Sequence, residues 1–316
     1  MIEKLPLLFW PREQTLTTLI FHRVLPAPDP LRRGEPDAER FDALMRFVAD
    51  NFSVLPLPEA VDRLQSGSLP HRACCITFDD GYADNLTIAV PILEKYRLPA
   101  TVFIATGYLD GGRMFNDAVI DAIAATTKPE LDLGSIGLGV HPIHSLEQKQ
   151  AAIDAILSRI KLSTPELRDQ QVKTILEASG CSDLPHDIML TSQQVRDMSD
   201  RGIEIGGHTN AHTILSTLDE KRAYDEIVTG KHLLEAIIGN SLTSFAYPNG
   251  KPGRDYTERH ISLVKTAGFK RAVTTGYGVA RKGSDVFQLP RFTPWAANGF
   301  RRMAQLVRNA WIPANV

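Results

Sequence analysis

The chain has 316 residues, 43% of them hydrophobic, and a formal net charge of −2, with acidic and basic residues mixed along its length. That length can bury one large core or two smaller ones, and the mixed charge argues against a nucleic-acid surface or a polybasic membrane patch. Three cysteines, Cys74, Cys75 and Cys181, cannot build a disulfide framework and fit a reducing compartment.

The first apolar run, “LPLLFW”, is cut by Pro11 and lacks a signal peptide's core and cleavage site, so it is expected to rest on a partner or a membrane face. No later run approaches the roughly 18 apolar residues of a membrane helix. The expectation is a cytoplasmic protein without a transmembrane segment. “TLTTLIFHRV” then predicts a strand ending near His22, and “DAERFDALMRFVADN” a helix with Phe41, Leu44, Phe47 and Val48 on one stripe. “FSVLPL”, “PEAVDRLQSG” and “ACCITFDDG” continue strand, helix, strand; “NLTIAVPILEKYR” predicts a helix that Pro91 can kink, and “ATVFIAT” a strand.

Between residues 108 and 190 the rhythm changes. “FNDAVIDAIAATT”, “SLEQKQAAIDAILSRIKL” and “PELRDQQVKTILEASG” predict helices with little strand between them, a helical insertion at the rim of the fold. Beyond 190 the pairs Thr191–Gln194, Thr217–Glu220 and Asp255–Glu258 carry the capping spacing of helix starts, separated by the strands “IEIGG”, “TSFAYP”, “RAVTT” and “VFQLPRF”. Short apolar strands interleaved with helices imply a parallel sheet covered by helices, and seven or eight such units suggest a barrel.

In parallel α/β folds the site gathers at the carboxyl ends of the strands. His22, the pair Asp79–Asp80, and “HTNAH” (His208 to His212) all fall at such ends. Histidines four apart on one turn, joined by a carboxylate from a neighbouring strand, make a three-ligand metal site with room for water and substrate, the catalytic rather than the structural arrangement. Gly81 lets the chain turn, so that one of the adjacent carboxylates can bind the metal while the other takes a proton from the acidified water as it attacks a carbonyl. Hydrolysis of an amide or ester follows.

“TFDDGY”, “HTNAH” and “FAYPNG”, in that order on those strand ends, resemble the polysaccharide deacetylase family, the NodB-homology domain or family four of the carbohydrate esterases, over about residues 17–108 and 190–296. The resemblance implies an α/β fold, a distorted (β/α) barrel of about seven parallel strands occupying the whole chain, with 108–190 as its helical insertion. It implies a divalent metal, zinc foremost with Co2+ or Ni2+ as alternatives, and removal of N-acetyl or O-acetyl groups from a sugar, saccharide or glycan precursor. By the motif match Asp79 is the general base and Asp80, His208 and His212 are the metal ligands. Tyr82, Tyr247, Asn249 and Trp295 are assigned to substrate binding.

Three features depart from the family pattern. “FAYPNG” has Ala246 where an arginine usually orients the base and Asn249 where an aromatic is usual, so Arg291 in “LPRF” is expected to take the arginine's part; the backbone N–H near Asn249 stays a candidate oxyanion donor. No histidine follows His260, so the general acid is assigned to His22, in a context that resembles members carrying it on the first strand. Many relatives are exported, whereas a cytoplasmic chain points to a precursor. His71, His186, His232 and His260 are expected to be solvated, and His141 with His144 to be a minor candidate for a second metal site. A phosphatase wants its aspartates one residue apart, and a two-carboxylate glycosidase wants them across the bond. A cyclic amide or imide hydrolase of the same fold and a non-catalytic saccharide-binding protein stay as alternatives.

Overall fold

The computed structural model describes residues 8–181, 184–294 and 299–314. In chain order its elements are β1 (Thr15–Phe21), α1 (Ala38–Asn51), β2 (Ser53–Val54), α2 (Leu57–Ser66), β3 (Ala73–Phe78), a π-helical turn (Asn85–Ala89) running into α3 (Val90–Tyr96), and β4 (Thr101–Ile104). Then come α4 (Phe115–Ala125), β5 (Glu130–Leu133), β6 (Gly139–Pro142), α5 (Leu146–Ile160), α6 (Pro165–Ser179), α7 (Ser192–Asp200), β7 (Glu204–Gly207), α8 (Glu220–Ile238), β8 (Ser244–Ala246), α9 (Glu258–Thr266), β9 (Arg271–Val273), β10 (Ala280–Arg281) and α10 (Gly299–Ala310).

The main sheet runs β10-β1-β3-β4-β7-β8-β9, with β2 also paired to β3. All its pairings are parallel except that of β10 with β1. It curls into a half-barrel, and residues 289–293 close the gap between β9 and β1: the Leu289 N–H donates to the Ala272 carbonyl at 3.0 Å and the Phe292 N–H to the Thr18 carbonyl at 2.8 Å. “VFQLPRF” therefore sits where a strand should, but only Leu289 bridges Val273; Pro290 brings no N–H to continue a ladder.

Strand alternation sorts the side chains into two cores. Leu16, Cys75, Phe103, Ala246, Val273 and Leu289 meet inside the curl. Phe21, Cys74, Ile76, Phe78, Ile205 and Phe245 face the helices. Cys74 and Cys75 are thus small strand hydrophobes on opposite faces, and neither is paired. The inward parity carried past the strand ends aims His22, Asp79, His208 and Arg291 at one mouth.

Local signals set most boundaries. Asp37 caps α1 by accepting the Arg40 N–H, and Thr191 with Gln194 forms the expected capping box. Two other expected caps are displaced. Asp219, not Thr217, caps α8, because Thr217 ends a 3₁₀ turn and its hydroxyl bonds the Ile214 carbonyl. Thr257 with His260, not Asp255 with Glu258, opens α9, while Asp255 accepts the Lys251 N–H and pairs with Arg254. His260 is consequently buried rather than solvated.

Residues 108–190 carry α4, α5 and α6 around a core of their own that includes Val119, Ile123, Ile153, Ile156 and Ile175. The antiparallel hairpin β5–β6 belongs to this unit too, a strand pair that the helical reading missed. At the opposite end of the sheet from the mouth, Leu8 and Phe9 are exposed, whereas Trp10 is buried edge-on against Phe52, with ring centroids 5.3 Å apart. No helix among the described residues is long and apolar enough to cross a membrane.

Candidate metal centre and active site

Asp79 and Asp80 follow β3 directly. Asp79 keeps the inward parity of Cys75 and Thr77, so Asp80 by alternation alone would turn back toward the helices. A left-handed backbone at Asp80 (φ 78°) and Gly81 (φ 87°) swings it to the mouth instead. Gly81 is required twice over, since a Cβ there would also lie 2.9 Å from the Ile104 side chain. Thr209, His212 and Asn249 are left-handed as well, at φ 63°, 50° and 57°. Non-glycine residues in this region store strain, and four of the seven among the described residues sit on the strand-end loops around one point, the others being Arg72, Arg97 and Asp110.

That point is the Asp80 Oδ1 oxygen. It lies 3.4 Å from His208 Nε2 and 3.3 Å from His212 Nε2, and it is buried with no hydrogen-bond donor among the described residues. His208 Nδ1 faces the Ala246 carbonyl at 2.7 Å, so it carries the proton and Nε2 offers a lone pair. His212 is kept neutral: burial pushes its pKa down to about 4, with His208 and Arg168 acting in the same direction against the pull of Asp80. Asp80 is held well below the usual carboxylate range, the nearby imidazoles outweighing its burial. Two imidazole lone pairs and one bare carboxylate oxygen fit a divalent cation. Tetrahedral coordination at about 2.0–2.1 Å spaces ligand atoms by about 3.3 Å, the spacing of Asp80 Oδ1 from each imidazole nitrogen, and all three ligand atoms lie within 4.8 Å of one another. No other cluster of three such groups occurs among the described residues, and His141 bonds the Leu138 carbonyl instead of joining a second site.

Asp79 is gripped from within the curl. Arg291 donates Nη1 to Oδ1 at 2.6 Å and Nη2 to Oδ2 at 2.7 Å, a bidentate pair between fully buried side chains. The guanidinium is itself fixed by the Thr77 hydroxyl at 3.2 Å and the Thr274 carbonyl at 3.0 Å. Burial disfavours the Asp79 charge, but Arg291, aided by His208, more than offsets it and keeps the carboxyl below its usual range. Asp79 Oδ2 stands 4.0 Å from His208 Nε2, beside the candidate cation position without joining the ligand set. Arg291 therefore stands where the sequence reading put it.

A cavity of about 590 Å³ opens above these groups. His22, Asp79, Asp80, His208, His212 and Asn249 line its floor, and Leu31, Met114, Phe115, Ile153 and Leu157 its outer wall. Burial would lower the pKa of His22, yet Asp80, Glu35 and Asp79 outweigh it and raise the value. Tyr82 reaches the cavity, but its hydroxyl donates to Asp117 at 2.7 Å and the Arg23 guanidinium lies 4.8 Å over its ring. Tyr247 is a correction. It faces outward with Phe245, stacks on Tyr256 at 3.9 Å and does not line the cavity. Trp295 lies outside the described residues.

The sequence reading missed an ionic lattice in the cavity wall, where Arg23, Arg32, Glu35 and Asp117 line the space. Arg23 bridges Asp84 at 2.8 Å and Asp117 at 3.1 Å, and Arg32 pairs with Asp29, Asp117 and Asp121. It ties the 22–37 loop to α4. Glu35 accepts the Arg23 N–H at 3.0 Å, and its burial raises its pKa. These residues are scattered singly along the sequence, with no spacing to mark them.

A family model described as polysaccharide deacetylase matches residues 66–272. The putative polysaccharide deacetylase YxkH of Bacillus subtilis is 24% identical over 255 residues, 80% of this chain and 63% of its own length. The poly-β-1,6-N-acetyl-D-glucosamine N-deacetylase of Staphylococcus epidermidis is 27% identical over 112 residues, 35% of this chain and 39% of its own. The chain thus spans less than two thirds of either. Among solved structures, IcaB from Ammonifex degensii aligns over 92% of this chain and 97% of its own with a TM-score of 0.60 at 20% identity. The Streptococcus pyogenes deacetylase PplD, solved with acetate, aligns over 89% and 92% with a TM-score of 0.58 at 18% identity. At such identities these two speak for the fold, while the family match, spanning well over half the chain, decides the kinship: this chain belongs to the polysaccharide deacetylase family.

Proposed function

We propose that the protein is a metal-dependent deacetylase that hydrolyses the acetamide, or the acetyl ester, of an acetylated sugar or glycan precursor. The observation that carries this is the pairing of a bare three-ligand cluster with an adjacent carboxylate that an arginine keeps charged. A divalent cation, zinc by its His and carboxylate donors with Co2+ or Ni2+ also acceptable, would be held by Asp80, His208 and His212 and would supply a water acidified to near neutrality and a polarised carbonyl. Asp79 accepts the proton of the attacking water, and Arg291 holds that carboxylate in position and unprotonated. His22, at the mouth with its pKa raised by carboxylates, protonates the departing amine. The backbone N–H at Asn249, a residue that lines the cavity, is the candidate donor to the oxyanion.

The rim selects the substrate. Leu31 of the 22–37 loop, Phe115 of α4 and Ile153 and Leu157 of α5 border the cavity, so the 108–190 unit is read as the specificity element of a single barrel domain. The chain's three free cysteines suit a reducing compartment, and a cytoplasmic setting with a precursor substrate belongs to the same proposal. The test is acetate release from a panel of UDP-linked N-acetyl sugars, chito-oligosaccharides and cyclic amides, before and after chelation. Chelator-sensitive acetate release supports the reading; ring opening of a cyclic amide, or saccharide affinity without turnover, would sink it.

A further inference from the structure

The loop that carries His212 is held mainly at its backbone, while the Thr209 and Thr213 hydroxyls and His212 Nδ1 have no hydrogen-bond partner among the described residues. Glu226 of α8 accepts the N–H groups of Asn210 and Ala211 at 3.1 and 2.8 Å. Gly107 donates its N–H to the Asn210 carbonyl at 2.8 Å, and the Thr106 hydroxyl meets the Asn210 side chain at 2.9 Å. α8 comes close because Gly230 faces the loop: a Cβ there would lie 2.7 Å from the Thr209 carbonyl. The Ala211 carbonyl, whose peptide leads into His212, accepts from the Tyr108 hydroxyl at 3.1 Å and from Arg168 Nη2 at 3.2 Å. His212 sits at φ 50°, a conformation that costs an L-residue roughly 1–2 kcal/mol and survives only where its surroundings over-determine it.

The holds from Glu226, Thr106 and Gly107 come from the barrel and that from Tyr108 from the edge of the 108–190 unit, whereas one comes from a helix within that unit. Arg168 belongs to α6, inside the 108–190 unit. It is 3% exposed, and its guanidinium lies 4.6 Å over the Phe115 ring. Among the described residues it forms no ion pair. A buried guanidinium is ordinarily matched by a carboxylate; this one reaches the Ala211 carbonyl beside a metal-ligand candidate at 3.2 Å and, at 3.5 Å, the Tyr108 hydroxyl that bonds the same carbonyl.

We propose that Arg168 is a positioning residue for the metal centre, fixing the Ala211–His212 peptide so that His212 Nε2 points at the cation, and that the helical unit thereby completes the metal site as well as shaping the rim. The proposal rests on the reading of Asp80, His208 and His212 as ligands. Arg168 acts through His212 and touches no substrate.

The experiment measures Zn2+ affinity by competition with a chromophoric chelator, and the visible absorption of the Co2+-loaded protein, on the full chain without substrate. Arg168→Met keeps the stem over Phe115 and removes the donor; Arg168→Lys keeps a charged donor. Arg168→Met is expected to weaken Zn2+ binding about 10–100-fold and alter the Co2+ spectrum, as loss of a residue that orients a ligand does. Arg168→Lys is expected to recover most of the affinity. Arg168→Ala, read the same way, serves if Arg168→Met does not fold. Wild-type affinity and spectrum in Arg168→Met, with only the melting temperature of the metal-free protein lowered, would reduce Arg168 to a packing residue and overturn the proposal. A wild-type chain that binds no Zn2+ at all refutes the ligand assignment itself, and is told apart by the wild-type titration alone.

Discussion

Replacing Arg291 by methionine tests the centre most directly. The guanidinium is fully buried and gives Asp79 two short charge-assisted bonds, at 2.6 and 2.7 Å. Removing one partner of such a pair strands a charge that water cannot reach, at a cost of about 3–5 kcal/mol. In the wild type the Asp79 pKa lies below its usual value, so its stabilisation is present above the unfolded carboxylate pKa and is lost as pH falls through the folded one. In Arg291→Met the burial of the carboxylate is no longer offset by the guanidinium, and the folded pKa rises. The sign then reverses: Asp79 costs nothing in acid and destabilises increasingly as pH rises toward 7. Urea unfolding of the metal-free proteins at several pH values reads this directly, and the double variant Asp79→Asn/Arg291→Met is expected to regain most of the loss by removing the stranded charge. Acetate release at neutral pH is expected to fall at least about 100-fold in Arg291→Met, the scale of a lost general base. An Arg291→Met protein that loses under 1 kcal/mol and keeps the wild-type pH profile would show that Asp79 does not need its partner.

Further outcomes separate the roles. Asp79→Asn is expected to abolish turnover while retaining bound metal, whereas His208→Ala loses both; metal content by elemental analysis beside acetate release decides it, and near-normal turnover in Asp79→Asn contradicts the base assignment. His22→Gln is expected to lower kcat about 10²–10⁴-fold with metal affinity unchanged, and to do so less for an acetyl ester than for an amide, since an alkoxide can leave unprotonated whereas an amide nitrogen must be protonated to depart as the amine; equal losses on both substrates count against its role as acid. His212, held at about 4 in the folded chain against an ordinary 6.5, stays neutral where the unfolded chain takes a proton. Stability of the metal-free protein therefore rises with pH between those values, by about 3 kcal/mol from this residue. His212→Gln should flatten that slope in urea melts at pH 4 and 7, and an unchanged slope refutes it.

The strand-end residues were legible because period-two alternation and parallel order are local properties of short apolar runs. “ACCITF” marks Asp79 as the residue at the strand's end, although a run buried on both faces does not say which face is inward. Asp80 was legible only through its neighbour: alternation sends it outward, and Gly81 was the sign that the chain would leave the strand's geometry there. Arg291 could be placed at the mouth by parity with Leu289, although nothing local distinguishes its segment from a regular strand except Pro290. Tyr247 failed by the same rule that placed His208. One residue beyond Ala246, it falls on the helix side, and reading the motif as a block hid that parity. The hairpin β5–β6 shows alternating burial in “ELDL”, too short a run to stand out between helices.

What stayed hidden depends on contacts between segments far apart in the chain. Glu226 and Arg168 occupy ordinary helical positions, and only the packed structure brings a carboxylate to two N–H groups and a guanidinium to one carbonyl of the same loop. Strain explains why such distant supports exist. Asp80, Thr209, His212 and Asn249 all hold backbone conformations that their side chains disfavour, and each such residue relaxes unless something outside its own segment prevents it. The ligating atoms are named by the motif, but their convergence within 4.8 Å is enforced by residues the motif does not contain, and on that account a chain carrying the same three ligands without an equivalent of Glu226 or Arg168 should hold a cation more weakly than this one.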